Sequence, residues 1–211
     1  MEPEYKDFQE LQQQRRSVSH FDPEQELKDE LLREIINNAV LAPSSFNLQP
    51  WEIIAVKSQD KRREIYENGA CEQEKVIKAP VLLIVLGDKK GYERHNPMWD
   101  EKKDLGKLEE EKIKKIIKSC REGIYSTEAK EIGFAVRNSS LLAMSIMYSA
   151  KYFGVDSHPM IGFSAEKIKD MFDIEENKVV TVLMSLGYFD ENKELSPRET
   201  RLTYDSIVDE Y

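Results

Sequence analysis

The sequence predicts an α+β domain. Three observations carry that expectation. The β-rich runs "WEIIAV" (51–56), "APVLLIVLGD" (79–88) and "KVVTVLMSLGYF" (178–189) are separated by long helical patterns. Strand and helix do not alternate as a regular βαβ repeat, which argues against a doubly wound sheet. With 211 residues, 40% of them apolar, the chain can bury one sizeable core but is short for two. A single domain spanning 1–211 is expected, without internal repeats or a Gly/Ser linker.

Taken in chain order, "MEPEYKDFQELQQQRR" is polar and acidic and lacks the apolar centre of a secretory signal. "DPEQELKDELLREIINNAVLAP" reads as a helix capped by Asp22 with Pro23 in its first turn. Leu27, Leu31, Ile35 and Val40 share its inner face, and Pro43 ends it. "WEIIAV" is a short strand, whereas "APVLLIVLGD" is apolar without alternation and so belongs at the centre of a sheet covered on both faces. Residues 91–125 are charged and dotted with aromatics. Within them "EKKDLGKLEEEKIKKIIKSC" reads as one solvated helix with a narrow apolar stripe, and 91–125 as a whole as a lid insertion. "STEAKEIGFAVRNSSLLAMSIMYSAKYFG" predicts a long buried helix closed by Gly154, and "EKIKDMFDI" a shorter one. "KVVTVLMSLGYF" is a strand by its β-branched content. The charged residues 190–211 fit neither period.

Composition excludes several function classes. Acidic residues outnumber Lys and Arg by 40 to 31, giving a net charge of -9, so nucleic acid and anionic membrane are repelled by the average surface. An anionic ligand would need a local basic cluster. Cys71 and Cys120 are far apart and lack CxxC spacing, which indicates neither a disulfide framework nor a zinc site. This cysteine usage leads to the expectation of a reduced, cytoplasmic setting, and no apolar run is long enough to span a bilayer. GxGxxG, Walker, GxSxG and HExxH signatures are absent. His20, His95 and His158 stand singly and are read as structural or surface residues.

Two short stretches exceed what turn chemistry requires. "RRSVSHF" (15–21) sets Arg15 and Arg16 beside Ser17 and Ser19, forked donors and hydroxyls suited to a phosphate dianion and its polyol tether. Its plainer reading is a solvated basic turn. "LAPSSFNLQPWEIIAV" (41–56) packs several hydrogen-bonding side chains into one helix-to-strand link, where one Gly or Asn with a Pro would suffice.

Together these stretches resemble the nitroreductase family of FMN-dependent enzymes. Arg15-Arg16-Ser17 with Phe21, "APSSFNLQPW", "KAPVLLIVL", Asn138, "HPMIGF", "MSLGYF" and Arg201 follow the family's order over nearly the whole chain. The resemblance implies a nitroreductase-like α+β fold, a central, mainly antiparallel sheet flanked by helices. It also implies a homodimer binding FMN at the subunit interface. The tail 190–211 would wrap the partner, burying Leu202, Tyr204, Ile207 and Val208.

By similarity, Arg15, Arg16 and Ser17 would face the phosphate, the ribityl chain and the pyrimidine end, with Ser19 close by. Arg201 and Arg198 would complete the phosphate site, and which of the two touches it is left open. Pro43, Ser44, Ser45 and Asn47 would reach the flavin of the neighbouring subunit. The backbone at Pro159, Met160, Ile161 and Gly162 would lie beside the reactive edge of the ring, where glycine permits close approach. An Asn of the family is replaced near Glu72 and Gln73. Because a carboxylate would oppose reduction of the ring, Gln73 is expected to make that contact and Glu72 to turn away. Relatives often carry a basic residue at Ser19 and some a Glu at Ile161, so this chain need not share their substrates.

The activity implied is hydride transfer from NADH or NADPH through FMN to a nitroaromatic or quinone-type acceptor by a ping-pong mechanism. The cofactor carries the chemistry and no side chain acts as catalytic acid or base. Flavin reduction, dehalogenation, ene-reduction and a non-catalytic flavin-binding or redox-sensing role stay open on the same scaffold. Tyr92, Trp99 and Tyr125 fit either an acceptor pocket or the packing of a lid helix.

Overall fold

The computed structural model describes residues 7–211. At its centre lie β1 (Trp51–Val56), β2 (Val81–Asp88), β3 (Asp156–Met160) and β4 (Lys178–Gly187), in the order β1-β2-β4-β3. Every neighbouring pair is antiparallel, with Trp51 opposite Gly87, Leu83 opposite Met184 and His158 opposite Ser185. All residues of β2 are buried. Its alternate side chains feed two cores. Val81, Leu83 and Val85 face a cluster with Leu31, Ile35, Leu142 and Ile146, while Leu82, Ile84 and Leu86 face one with Ile65, Val76, Met160 and Ile168. A strand covered on both faces has no polar side to alternate with, which is why its sequence is continuous in apolar residues.

The helices are α1 (Phe8–Gln14), α2 (Asp29–Ala39), α3 (Gln59–Glu67), α4 (Lys75–Lys78), α5 (Met98–Asp104), α6 (Glu110–Ser119), α7 (Glu128–Tyr152), α8 (Ala165–Phe172) and α9 (Tyr204–Ile207). α2 and α7 cover one face of the sheet; α3, α4 and α8 contribute to the other core. α7 matches its sequence expectation. Thr127 accepts from Lys130 N at its start, and Gly154 follows its end at φ 76°. α7 also passes close to β2 at Gly87, where a Cβ would stand 2.5 Å from the Ala135 carbonyl oxygen.

Several boundaries differ from the sequence reading. α2 begins at Asp29, not after Asp22. Asp22 Oδ1 instead accepts from Glu24 N in a local turn, and its own N–H donates to the Tyr188 carbonyl. Phe21 bridges Phe189, so this segment is tied to the end of β4 before the helix can start. Asp-Pro serves turns as well as helix starts, and tertiary pairing decides between them. Leu27 is buried ahead of the helix and Val40 lies just beyond it, exposed. The single helix expected at 101–120 is broken into α5 and α6 at Gly106, which takes φ 67°. Five residues, Cys120–Ile124, continue α6 as a π-helical turn.

Residues 91–125 build a satellite core of their own with Leu48 and Phe134. Tyr92 and Trp99 are fully buried with Ile113, Cys120, Leu48 and Phe134. Trp99 Nε1 donates to the Tyr92 carbonyl at 3.1 Å, and Tyr92 Oη donates to Glu131 at 2.8 Å. Packing therefore accounts for both rings, and Tyr125 packs against Tyr92 and Phe134.

Candidate functional site

The arginine segment leaves α1 at Arg15, whose N–H closes the helix on the Leu11 carbonyl. Val18 and Phe21 are buried with Ala79, so the residues between them are held along the outer edge of β3. Ser17 forms a parallel bridge with Ser157, and Val18 N donates to the Ser157 carbonyl at 3.2 Å. Alternation then leaves Ser17 and Ser19 exposed on either side of Val18.

The tail returns to this segment. Arg198 Nη2 donates to the carbonyls of Gln13 and Arg15 at 2.6 and 2.8 Å, and Arg16 Nη2 donates to the Ser196 carbonyl at 2.7 Å. Among the described residues, Arg201 bonds the carbonyls of Glu199 and Thr200. Burial lowers the pKa of Arg15; Tyr148 opposes that shift, and the charges of Arg198, Arg201 and Arg16 reinforce it. Four guanidinium groups thus converge. Among the described residues none of them has a carboxylate within ion-pair distance, whereas Arg94 and Arg121 elsewhere do. A cluster of uncompensated cations on an acidic chain favours an anion.

On the other side of β3 a second polar group assembles from α4 and the loop before it. Lys75 Nζ donates to Gln73 Oε1 at 3.0 Å, and Gln73 Nε2 donates to the Gly162 carbonyl at 3.3 Å. Lys75 Nζ also lies 3.1 Å from His158 Nε2, while His158 Nδ1 lies 2.7 Å from the Val18 carbonyl. A carbonyl can only accept, so Nδ1 carries the ring proton and Nε2 accepts from Lys75. Burial pushes the His158 pKa down; the bond to Val18 opposes this and Lys75 reinforces it. Burial lowers the pKa of Lys75 as well, against the opposing influence of Cys71. Glu72 is exposed, with its carboxylate beside Gly69. Ile161 is 83% exposed, and a Cβ added at Gly162 would meet only Gln73 Nε2 at 3.9 Å.

The Pro43–Asn47 loop forms a separate group. Ser45 N donates to Asn138 Oδ1 at 2.8 Å, and Asn138 in turn donates to the Phe134 carbonyl. Ser44 Oγ accepts from Gln49 N at 2.9 Å. Phe46, Asn47 and Gln49 all take positive φ, near 50°, a conformation that costs free energy for residues with a Cβ and concentrates at binding sites. Within one chain this loop does not join the arginines. Asn138 anchors it, while Tyr148 marks the arginine end of α7, and about 15 Å of helix rise separates the two.

Of the residues singled out from sequence, the structure gathers Arg15, Arg16, Ser17, Arg198 and Arg201 along one edge of β3. Pro159 and Met160 are the last residues of β3, Ile161 and Gly162 follow them, and Gln73 joins this group through its bond to the Gly162 carbonyl. Ser19 is close in chain to the first group and exposed, and its side chain makes no hydrogen bond among the described residues. Lys75 and His158 were missed as site residues. Their approach spans 83 positions and leaves no local signal.

The Nitroreductase family model matches residues 13–188, from the arginine segment to the end of the sheet. The chain belongs to the nitroreductase family. Among its relatives is the Bacillus subtilis protein MhqN, named among the NAD(P)H nitroreductases, 33% identical over 86% of this chain and 88% of that one. The solved structure of the B. subtilis nitroreductase YdfN superposes with TM-score 0.87 at 32% identity, covering 97% of this chain and 98% of that one. A nitroreductase from Exiguobacterium sibiricum, solved in complex with FMN, superposes with TM-score 0.82 at 25% identity and covers 97% of each chain. The chain is therefore a nitroreductase-family oxidoreductase with the family's α+β fold.

Proposed function

We propose that this chain binds FMN with the two groups flanking β3, takes hydride from NADH or NADPH, and reduces nitroaromatic or quinone-type acceptors. The observation that carries the reading is the set of four arginines that have no carboxylate partner among the described residues, beside exposed Ser17, in a chain of net charge -9. The fit to FMN can be tested on the donor set itself. A phosphate dianion calls for forked cationic donors, supplied by Arg15, Arg16 and one or both of Arg198 and Arg201. A ribityl chain calls for hydroxyl partners, supplied by Ser17 and Ser19. The pyrimidine edge calls for an amide and a cation, supplied by Gln73 and Lys75, with Glu72 turned towards Gly69. Gly162 leaves space for a flat ring to approach the backbone. When bound, FMN supplies the hydride-accepting and hydride-donating ring.

The chain's own part is binding, field and access. The Lys75 ammonium stabilises negative charge gained at the pyrimidine edge, which is preorganised electrostatic assistance rather than acid–base catalysis. Exposed Ile161 forms an apolar flank against which a planar donor or acceptor can lie. One flank serving both in turn gives ping-pong kinetics.

A homodimer completes this reading. β1 has no strand on its outer edge among the described residues, and an open edge invites pairing. Leu202, Tyr204 and Ile207 are 74%, 60% and 66% exposed on a tail whose hydrogen bonds to the rest of its own chain, among the described residues, run as far as Arg198. Ile132 and Leu141 are also exposed on α7. A partner covering these would bring its Pro43–Asn47 loop to this chain's arginines, which its own loop does not reach. Fluorescence titration of FMN into the apo-protein, with the mass in solution measured alongside, tests the reading. Saturable quenching at one FMN per chain in a dimer supports it; a monomer that leaves FMN fluorescence unchanged would sink it.

A further inference from the structure

Among the described residues, the His158 side chain hydrogen-bonds to both halves of the site. Its Nδ1–H binds the carbonyl of Val18, inside the arginine segment, and its Nε2 receives the Lys75 ammonium, which also holds Gln73. Gln73 in turn binds the backbone at Gly162. The chain of contacts runs unbroken from residue 18 to residue 162. We propose that neutral His158 is a positioning residue that fixes Lys75 and Gln73 for the pyrimidine edge of the flavin, and that gaining a proton there releases Lys75 and makes the site pH-gated. The proposal rests on the FMN reading for its consequence, though not for its geometry.

The physical basis is that one ring cannot serve both partners once doubly protonated. In the neutral ring one nitrogen donates and the other accepts. The Val18 carbonyl can only accept, so it fixes the tautomer and leaves the Nε2 lone pair for Lys75. A second proton turns Nε2 into a donor and sets an imidazolium against an ammonium 3.1 Å away. Lys75 must then swing off, taking its bond to Gln73 with it. The groups around the ring do nothing to hold the charged form. From α4 the facing charge is Lys75, a cation. The arginine segment offers only the Val18 carbonyl. From β4 the opposing residue is Ser185, whose hydroxyl donates to the Lys75 carbonyl. Cys71, the remaining titratable group of the cluster, acts on Lys75. No carboxylate among the described residues is paired with His158, so burial and Lys75 both keep it neutral near pH 7.

The test has one arm on the apo-protein and one on the loaded protein. In the apo-protein, imidazole nitrogen NMR is expected to show the Nδ1–H tautomer for His158. Lys75→Met is expected to raise its titration midpoint, because the nearby cation is removed. Midpoints that coincide in the two proteins would overturn the proposal, and this arm needs no bound cofactor. In the FMN-loaded protein, the midpoint potential and the FMN Kd are followed from pH 8 down to 5. Below the His158 midpoint the wild type is expected to lose about tenfold in FMN affinity, the weight of one charge-assisted hydrogen bond. His158→Gln has an acceptor and a donor but does not titrate, so it should keep the neutral-pH affinity and abolish the acid break. His158→Leu should lose affinity at every pH. An acid break that persists unchanged in His158→Gln also overturns the proposal. If no protein binds FMN at any pH, the cofactor reading fails while the NMR arm still decides the geometry.

Discussion

Arg15→Met should have effects of opposite sign on cofactor binding and on the stability of the apo-protein. Arg15 is half-buried, its charge is penalised by that burial and by Arg198, Arg201 and Arg16, and it has no carboxylate partner among the described residues. Methionine keeps the length and packing of the stem while removing the guanidinium. If Arg15 grips the FMN phosphate, the variant loses one charge-assisted hydrogen bond, about 1.5–3 kcal/mol. FMN Kd should then rise by roughly 10- to 150-fold. Relief of like-charge repulsion should meanwhile raise the thermal midpoint of the apo-protein. The assay is a flavin-fluorescence titration paired with a thermal melt of the same apo preparation. An FMN Kd within twofold of wild type would refute the role of Arg15. A lowered apo midpoint accompanying weaker binding would show instead that the guanidinium anchors the fold.

Three further expectations follow from the geometry. Gly87→Ala drives a methyl group to 2.5 Å from the Ala135 carbonyl oxygen and 2.9 Å from Ser139 Oγ. It should cost about 1–3 kcal/mol in chemical denaturation, because neither β2 nor the α7 backbone can yield cheaply. Asn138→Ala removes the acceptor of Ser45 N and should cost about 1 kcal/mol of stability. It should also weaken FMN binding by releasing the strained Phe46–Asn47 turn, read in the same titration. For Glu131, burial raises the pKa, but the bonds from Lys90 and Tyr92 outweigh it and the net shift is downward. A depressed carboxylate pKa contributes stability that is fully present above the ordinary value of 4.5 and is lost as pH falls through the folded value. Glu131→Gln should therefore flatten the acid limb of the stability profile between about pH 5 and 3 and lower stability at pH 7, measured by urea unfolding at each pH.

How much the sequence revealed depended on whether the cause was local. β1, β2 and β4 were legible because apolar and β-branched runs are a local record of burial. β3 was not read as a strand. Asp156-Ser157-His158-Pro159-Met160 is polar and contains a proline, which a sheet tolerates at an edge. The start of α2 was misplaced because Asp22-Pro23 is equally good turn chemistry, and the choice was made by Phe21 and Asp22 pairing with the end of β4. α1 was hidden in a polar stretch whose one buried residue is Leu11. The arginine segment and the Pro43–Asn47 loop stood out because each carries more polar groups than its turn requires. Lys75 and His158 did not, because their meeting is a product of the β3–β4 register and of the seating of α4 on Ser185. Arg198 could be suspected of phosphate contact, but its bonds to the Gln13 and Arg15 carbonyls arise only when the tail folds back.

The central claim, that the cation cluster beside β3 holds a flavin that accepts hydride from a nicotinamide, is tested most directly by the absorbance of FMN-loaded protein on anaerobic addition of NADH or NADPH. The account predicts that the yellow band bleaches within seconds with at least one of them and returns when a quinone is added. Protein-bound FMN that keeps its full absorbance with both reductants would contradict it.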